Sequence, residues 1–356
     1  MSGTARSRAT VLSVATAVPD NIVTAADTKA ILPKAFNLHG HHLAAIHAVI
    51  DNARVDKRHT IFPADYLLQP RSLEKTNCEY KTQAIRFGAE VAERALSEAG
   101  LEPTDIDLII SVSCTGVMIP AVDAYLINQL GFRSDVKRLP ITELGCAAGA
   151  AALSRASDYI RAFPDANVLV LAIELTTLTL QHNDFSRANL ISCVLFGDGA
   201  AAAVLTGREA HGLQVADSHS HLIPASLDAM GFDLRGTGFH IVLSKEVPQL
   251  IRDAIGGVTE QFLARHNLSR QDLQFFLLHP GGQKLLSFVE EELELTPMQS
   301  QPSWDVLRDY GNLSSATILF VAKEFLKRPA PQRGDHGLLA AFGPGFSMEM
   351  ALLAWN

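Results

Sequence analysis

The feature that most narrows the fold is a repeat of local signals. Leu101-Glu-Pro-Thr-Asp-Ile-Asp-Leu108 leads from a helix exit into an apolar run, and Leu268-Ser-Arg-Gln-Asp-Leu-Gln-Phe275 does the same later in the chain. Phe196-Gly-Asp-Gly199 before apolar residues 200–205 is matched by Phe342-Gly-Pro-Gly345 before residues 346–355. The same order of signals twice points to an internal duplication. The apolar runs are continuous, as in a sheet covered on both faces. The expectation is an α/β protein of two similar halves, 1–207 and 208–356, packed as layers and divided near Gly207 to Gly212. A ligand would sit between them.

Composition closes off other classes. With 47% hydrophobic and 19% charged residues, the 356-residue chain can bury a large core and carries no disorder signature. A net charge of -8 argues against nucleic acid as the main partner. Cys78, Cys114, Cys146 and Cys193 have no CxxC spacing and are too few for a disulfide framework, which fits a reducing cytoplasm. Arg6 and Arg8 precede an apolar-leaning stretch, but Thr10, Ser13 and Thr16 interrupt it, so a first strand is expected rather than a signal peptide. No run reaches the length of a membrane span.

Between these landmarks, residues 25–58 read as helical and include His39, His41, His42 and His47. No carboxylate or cysteine joins them at ligand spacing, so solvated histidines are expected rather than a metal site. Glu79 to Ala99 is an amphipathic helix with Ala84, Phe87, Val91 and Ala95 on one face, closed by Gly100. Residues 108–113 form a strand delivering Cys114 and Thr115, and Asn167 to Leu175 another that ends beyond Glu174. Leu139 to Leu144 reads as a buried strand stopping at Gly145.

Cys146 follows at a strand-to-helix turn, ahead of the small residues 147–152. A helix N-terminus there would favour the thiolate, the nucleophilic form. Alone, it is more simply a buried structural cysteine. His279 ends the apolar run 275–278, and Asn312 stands just before a helix starting at Ala316, where it is most simply an N-cap. Cysteine, histidine and asparagine at element termini together suit a Cys–His nucleophile with an amide partner. Two chemistries use that trio: a papain-like protease, whose usual cysteine context is missing here, and a decarboxylating Claisen condensation.

The motifs LGCAAGAA at Cys146, FGDGAAA at Phe196, HPGG at His279, YGNLSSA at Asn312 and FGPGF at Phe342 decide between them. In this order they resemble the chalcone synthase-like type III polyketide synthases over nearly the whole chain. The resemblance implies a thiolase-like duplicated αβαβα layered fold and a homodimer. It implies acyl-CoA and malonyl-CoA as substrates with no further cofactor. Cys146 would hold the acyl chain; His279 would pair with it and keep it as thiolate, and then, with Asn312, bind the thioester carbonyl. Phe196 and Phe239 match gatekeeping aromatics. Cys114, Thr115, Thr179, Glu174 and Ser314 match cavity positions, and Gly281 and Gly282 belong to the turn after His279.

Cys114 stands where plant members carry threonine, and Ile119 where they carry a methionine that crosses the dimer. The basic residues holding coenzyme A in plant members are absent around Ala45, Ala48 and Asn52. Lys284 is the substitute candidate, with Arg54, Lys57 or Arg58 beside it. The segments 174–181 and 217–222 look most like bacterial alkylpyrone and alkylresorcinol synthases, which implies a fatty acyl starter. The alternatives are a phloroglucinol or tetrahydroxynaphthalene type of synthase, a ketoacyl synthase III, and more distantly a thiol hydrolase.

Overall fold

The computed structural model describes residues 8–67 and 69–356, so Arg6 lies outside the described residues. The first half runs β1 (Ala9–Ala17), β2 (Asn21–Thr24), α1 (Ala25–Ala35), α2 (Gly40–Asn52), β3 (Lys57–Thr60), α3 (Ala64–Leu67), α4 (Leu73–Ala99) and β4 (Leu108–Val112). It continues through α5 (Val122–Leu130), β5 (Lys137–Ile141), α6 (Ala148–Ala162), β6 (Asn167–Leu175), α7 (Arg187–Leu195) and β7 (Asp198–Thr206). The second comprises β8 (Leu213–Leu222), β9 (Met230–Arg235), β10 (Gly238–Leu243), α8 (Val247–Ala264) and β11 (Leu273–Leu278). After it come α9 (Gln283–Glu292), α10 (Pro297–Tyr310), α11 (Thr317–Leu326), β12 (His336–Gly343) and β13 (Ser347–Trp355).

The duplication is visible in the strand pairing. β1–β7 and β7–β6 are antiparallel and β6–β4 parallel; β8–β13 and β13–β12 are antiparallel and β12–β11 parallel. Among the described residues the two sets join edge to edge through Ala9 with Val215 and Thr10 with Gln214. Matching 3-10 turns, Pro103–Asp105 and Arg270–Asp272, precede β4 and β11. Each is closed by its aspartate accepting a backbone N–H at 2.8 Å, from Glu102 and from Ser269.

Alternation along the strands sorts the core into layers. Ile109, Leu169 and Leu171 face Ala84, Phe87 and Val91 of α4, whereas Ile110 and Val170 face α6 and α11. Leu277 and Leu339 reach the same central helices from the second sheet, while Phe276 and Leu278 face α8 and α9. The stack is therefore α/β/α/β/α. Residues 148–152 of α6 are small and fully buried, which lets one helix lie between two sheets. Each buried Leu or Ile in such a layer contributes about 1.5–3 kcal/mol. α4 obeys its sequence signals: Ser72 caps it by accepting from Lys75 N, and Gly100 ends it in the left-handed region.

Two expectations need correction. The single helix over 25–58 is two helices and a strand, broken at Pro33 in the last turn of α1 and reopened at Gly40. Lys57 and Arg58 consequently lie on β3. The strand before Cys146 is Lys137–Ile141, an edge strand paired only with β4, and Leu139 is 37% exposed. Pro140 is tolerated because an edge strand can leave one side of its backbone unpaired. Among the described residues, no three or more His, Cys, Asp or Glu side chains could hold a metal ion, and no helix is long and apolar enough to cross a membrane.

Candidate active site

Cys146 occupies the 3-10 turn Gly145–Ala147 that opens directly into α6. Gly145 has φ +51, and a Cβ there would stand 2.6 Å from Pro344, so the position needs glycine for both conformation and space. The thiol is partly buried and donates to Ser314 Oγ at 3.4 Å. Burial pushes it up to about 11, against the pull of hydrogen bonds from Ser314 and Asn312. The thiol is thus the resting form, because desolvation of the sulfur outweighs these hydrogen bonds.

His279 leaves the end of β11 with its backbone N–H on Ala340 O at 2.9 Å. It is 2% exposed, and Nδ1 has no hydrogen-bond partner among the described residues. Burial alone depresses the imidazole to about 4. The ring is therefore neutral at pH 7. Thiol and imidazole rest uncharged, and no hydrogen bond among the described residues links them.

Asn312 is held by backbone on both sides. Its N–H donates to Leu195 O at 2.9 Å and its carbonyl accepts from Gly197 N at 3.1 Å, a short parallel bridge beside Phe196. The side-chain Oδ1 accepts from Ser314 N at 2.8 Å, within the loop ahead of α11, which leaves Nδ2 donating to Gly281 O at 3.4 Å. Asn312 is therefore not the N-cap of α11, whose cap position is Ala316 without a side-chain cap, and its amide is free to be held by the loop instead.

These groups face one chamber of about 60 Å³, shared with Cys114, Thr115, Thr179, Phe196, Gly281 and Ser314. Cys114 Sγ lies 3.3 Å from Ser314 Oγ and 3.6 Å from Glu174 Oε1. Glu174 stands behind this wall, fully buried, accepting from Ser315 Oγ, from Thr115 Oγ1 at 2.9 Å and from Cys114 N at 3.2 Å. Burial raises its carboxyl despite these donors. Phe239 does not line the chamber. It packs edge-on, at 5.7 Å, behind Phe232, which does.

Outside Gly281 the chamber opens into a funnel of about 370 Å³ that reaches Gly282, Lys284 and the α2 residues Ala48 and Asn52. Arg187 and Lys245 stand at the same mouth, and none of the three cations has a hydrogen bond or ion pair among the described residues. The other basic candidates lie elsewhere. Arg54 stacks over Trp304 at 4.7 Å, Lys57 lines neither cavity, and Arg58 is buried. Ile119 is 94% exposed.

Sequence reasoning missed Arg187, Lys245 and the hairpin wall formed by Met230 and Phe232. The hairpin was findable: Phe232 pairs with Ile241 and Met230 with Leu243, so alternate apolar residues on both strands share one face.

Five layers, an internal duplication, and a cysteine from one half facing a histidine and an asparagine from the other define a thiolase-like enzyme. The chain belongs to the chalcone and stilbene synthase family: residues 1–209 match its N-terminal domain and 214–355 its C-terminal domain. It is a type III polyketide synthase, an acyltransferase. It is 37% identical over 348 residues to a 1,3,6,8-tetrahydroxynaphthalene synthase of Streptomyces coelicolor, covering 98% of this chain and 92% of that protein. It is 36% identical over 326 residues to a phloroglucinol synthase of Pseudomonas fluorescens, covering 90% and 92%. The crystal structure of the Streptomyces coelicolor A3(2) tetrahydroxynaphthalene synthase superposes with a TM-score of 0.94 at 36% identity, over 98% of this chain and 99% of that one.

Proposed function

We propose that this synthase extends a short starter, malonyl or acetyl in size, with malonyl-CoA and closes the chain to a polyhydroxylated aromatic ring. The observation that carries the reading is the chamber: about 60 Å³ around Cys146, small beside the about 300–1,000 Å³ of most ligand pockets. A fatty acyl tail would need those walls to move. The names of the two relatives support the same direction, since tetrahydroxynaphthalene and phloroglucinol carry oxygen on alternate ring carbons, as a folded poly-β-ketone would.

In the proposed cycle the Cys146 thiol attacks the starter thioester, passes its proton to neutral His279, and coenzyme A leaves with that proton. Malonyl-CoA then places its thioester oxygen between the His279 ring N–H and Asn312 Nδ2. Loss of carbon dioxide leaves an enolate that these two donors stabilise. Its carbon attacks the acyl group, the new C–C bond forms, and Cys146 departs as thiolate. Arg187, Lys245 and Lys284 hold the coenzyme A phosphates at the funnel mouth. No other cofactor takes part. A cytoplasmic homodimer, and halves divided at 207/208, belong to the same proposal.

The test is incubation with malonyl-CoA alone and with acyl-CoAs from acetyl to stearoyl, with Cys146→Ala as control and products read by mass spectrometry. Aromatic product from malonyl-CoA alone or a short starter supports the reading. Product only with long-chain starters would return the protein to the alkylpyrone type. Single extension of carrier-protein substrates would move it to ketoacyl synthase III.

A further inference from the structure

Arg58 is a buried cation with no direct ion pair among the described residues, although the Asp198 charge acts on it from a distance. It is 6% exposed on β3, and no carboxylate among the described residues lies within ion-pair distance of it. Its two hydrogen bonds go to neutral oxygens: Nη1 donates to Phe196 O at 2.9 Å and Nη2 to Thr28 Oγ1 at 3.0 Å. The nearby Asp198 carboxylate is taken up by Ile61 N, Thr177 N and the Thr177 hydroxyl. Desolvating a guanidinium is expensive, so one held this way calls for a role.

Its location supplies one. Phe196 O belongs to the segment that pairs with Asn312, where Leu195 O and Gly197 N clasp the Asn312 backbone. The aliphatic stem of Arg58 lies against Gly311, the residue before Asn312. A Cβ on Gly311 would meet Arg58 Cγ at 3.1 Å, and its φ of +71 requires glycine in any case. One side chain thus grips the carbonyl on one strand of the bridge and packs on the other. Thr28 anchors the far end by donating its own hydroxyl proton to Thr24 O at 2.9 Å within α1.

We propose that Arg58 is a positioning residue: by holding the Phe196 carbonyl and packing on Gly311 it fixes the Phe196–Asn312 bridge, and so aims the Asn312 amide without touching substrate. The inference rests on the reaction proposed above. Arg58 serves the decarboxylation step, where Asn312 acts, and not the loading of Cys146. Lysine can keep the charge but reaches only one of the two acceptors, so it restores the function in part.

The experiment separates the half-reactions in the full-length protein. Loading is read as the acyl adduct on Cys146 by intact-protein mass. Decarboxylation is read as carbon dioxide released from malonyl-CoA. For Arg58→Met, decarboxylation kcat should fall about 10- to 100-fold with KM within about twofold, as for a group displaced by a fraction of an ångström, while loading stays within about twofold. Arg58→Lys should recover part of the loss, and Thr28→Val should lose about two- to threefold in the same step only. If Arg58→Met does not fold, the two milder variants carry the test. Parallel loss of loading and decarboxylation, or unchanged decarboxylation in Arg58→Lys and Thr28→Val, overturns the inference. Absence of carbon dioxide release by the unaltered protein would instead overturn the proposed reaction.

Discussion

The two halves of the molecule contain the same loop, used differently. In the first half Leu144 leads into the 3-10 turn Gly145–Ala147 and then α6; in the second Leu313 leads into Ser314–Ala316 and then α11. Residues 145 and 314 take the same left-handed backbone, φ +51 and +50. By this correspondence Cys146 is the counterpart of Ser315, and Gly145 of Ser314. The first loop uses glycine where the backbone demands it and spends its next side chain on the nucleophile. The second accepts a serine in a conformation that costs about 1–2 kcal/mol, and gains a hydroxyl between two sulfurs. Duplication supplied the geometry twice; divergence gave one copy the reactive atom and the other its polar surroundings.

The largest test of that contrast compares the paired residues. Cys146→Ala should abolish product, a loss on the order of 10⁵-fold, whereas Ser315→Ala should stay active and lose about 1.5–3 kcal/mol of stability by leaving Glu174 short of a donor. Denaturant titration and product assay on both variants would show whether the two positions have separated in role. Equal loss of activity in both would break the comparison. Next, Asn312→Ala should slow malonyl-CoA decarboxylation by about 10²- to 10³-fold while acylation of Cys146 persists.

A third test concerns charge. With the thiol pushed up to about 11, thiolate is a minority that grows with pH, and His279, depressed to about 4, stays neutral from pH 5 upward. Alkylation of Cys146 by iodoacetamide should therefore rise about tenfold per pH unit from about pH 6 to 9. A plateau below about pH 8 would mean a preformed thiolate–imidazolium pair. The smallest effect is expected for Ser314→Gly, which makes the second loop like the first. It should leave stability unchanged or raise it by up to about 1 kcal/mol in thermal denaturation, while product formation drops several-fold. Gly145→Ala should go the other way and destabilise, since its Cβ would press on Pro344.

What the sequence disclosed follows from how local each signal is. The Cys146, His279 and Asn312 positions lie at element ends bounded by glycines and apolar runs, so their placement needed no long-range information. The repeat was readable for the same reason. The exposure of β5 was also written locally, in Lys137, Arg138 and Pro140, but the apolar residues beside them dominated the reading. Other features depend on contacts far apart in sequence. Arg58 looks like any helix-flanking cation until β3 brings it to Phe196, 138 residues on. Phe239 matches a gatekeeper by motif, yet the hairpin register puts Phe232 in front of it. Neither the helix dipole nor the motif at Cys146 reveals how much water the chamber excludes, which sets the state of the thiol.

Ser314 has one proton to share. Its oxygen sits 3.4 Å from Cys146 Sγ and 3.3 Å from Cys114 Sγ, and only one of them can receive that proton at a time. In the resting molecule Cys146 donates to Ser314, whose own proton is free to turn to Cys114, and Cys114 can donate onward to Glu174. When the proposed cycle makes Cys146 a thiolate, Ser314 must turn its proton back, and Cys114 can donate either to Ser314 Oγ or to Glu174. The two hydrogen bonds that join the sulfurs through Ser314 thus have two opposite directions with the same heavy-atom positions, while Glu174 accepts at the far end. Charge at one end of the wall is felt at the other through a reorientation of hydrogens alone.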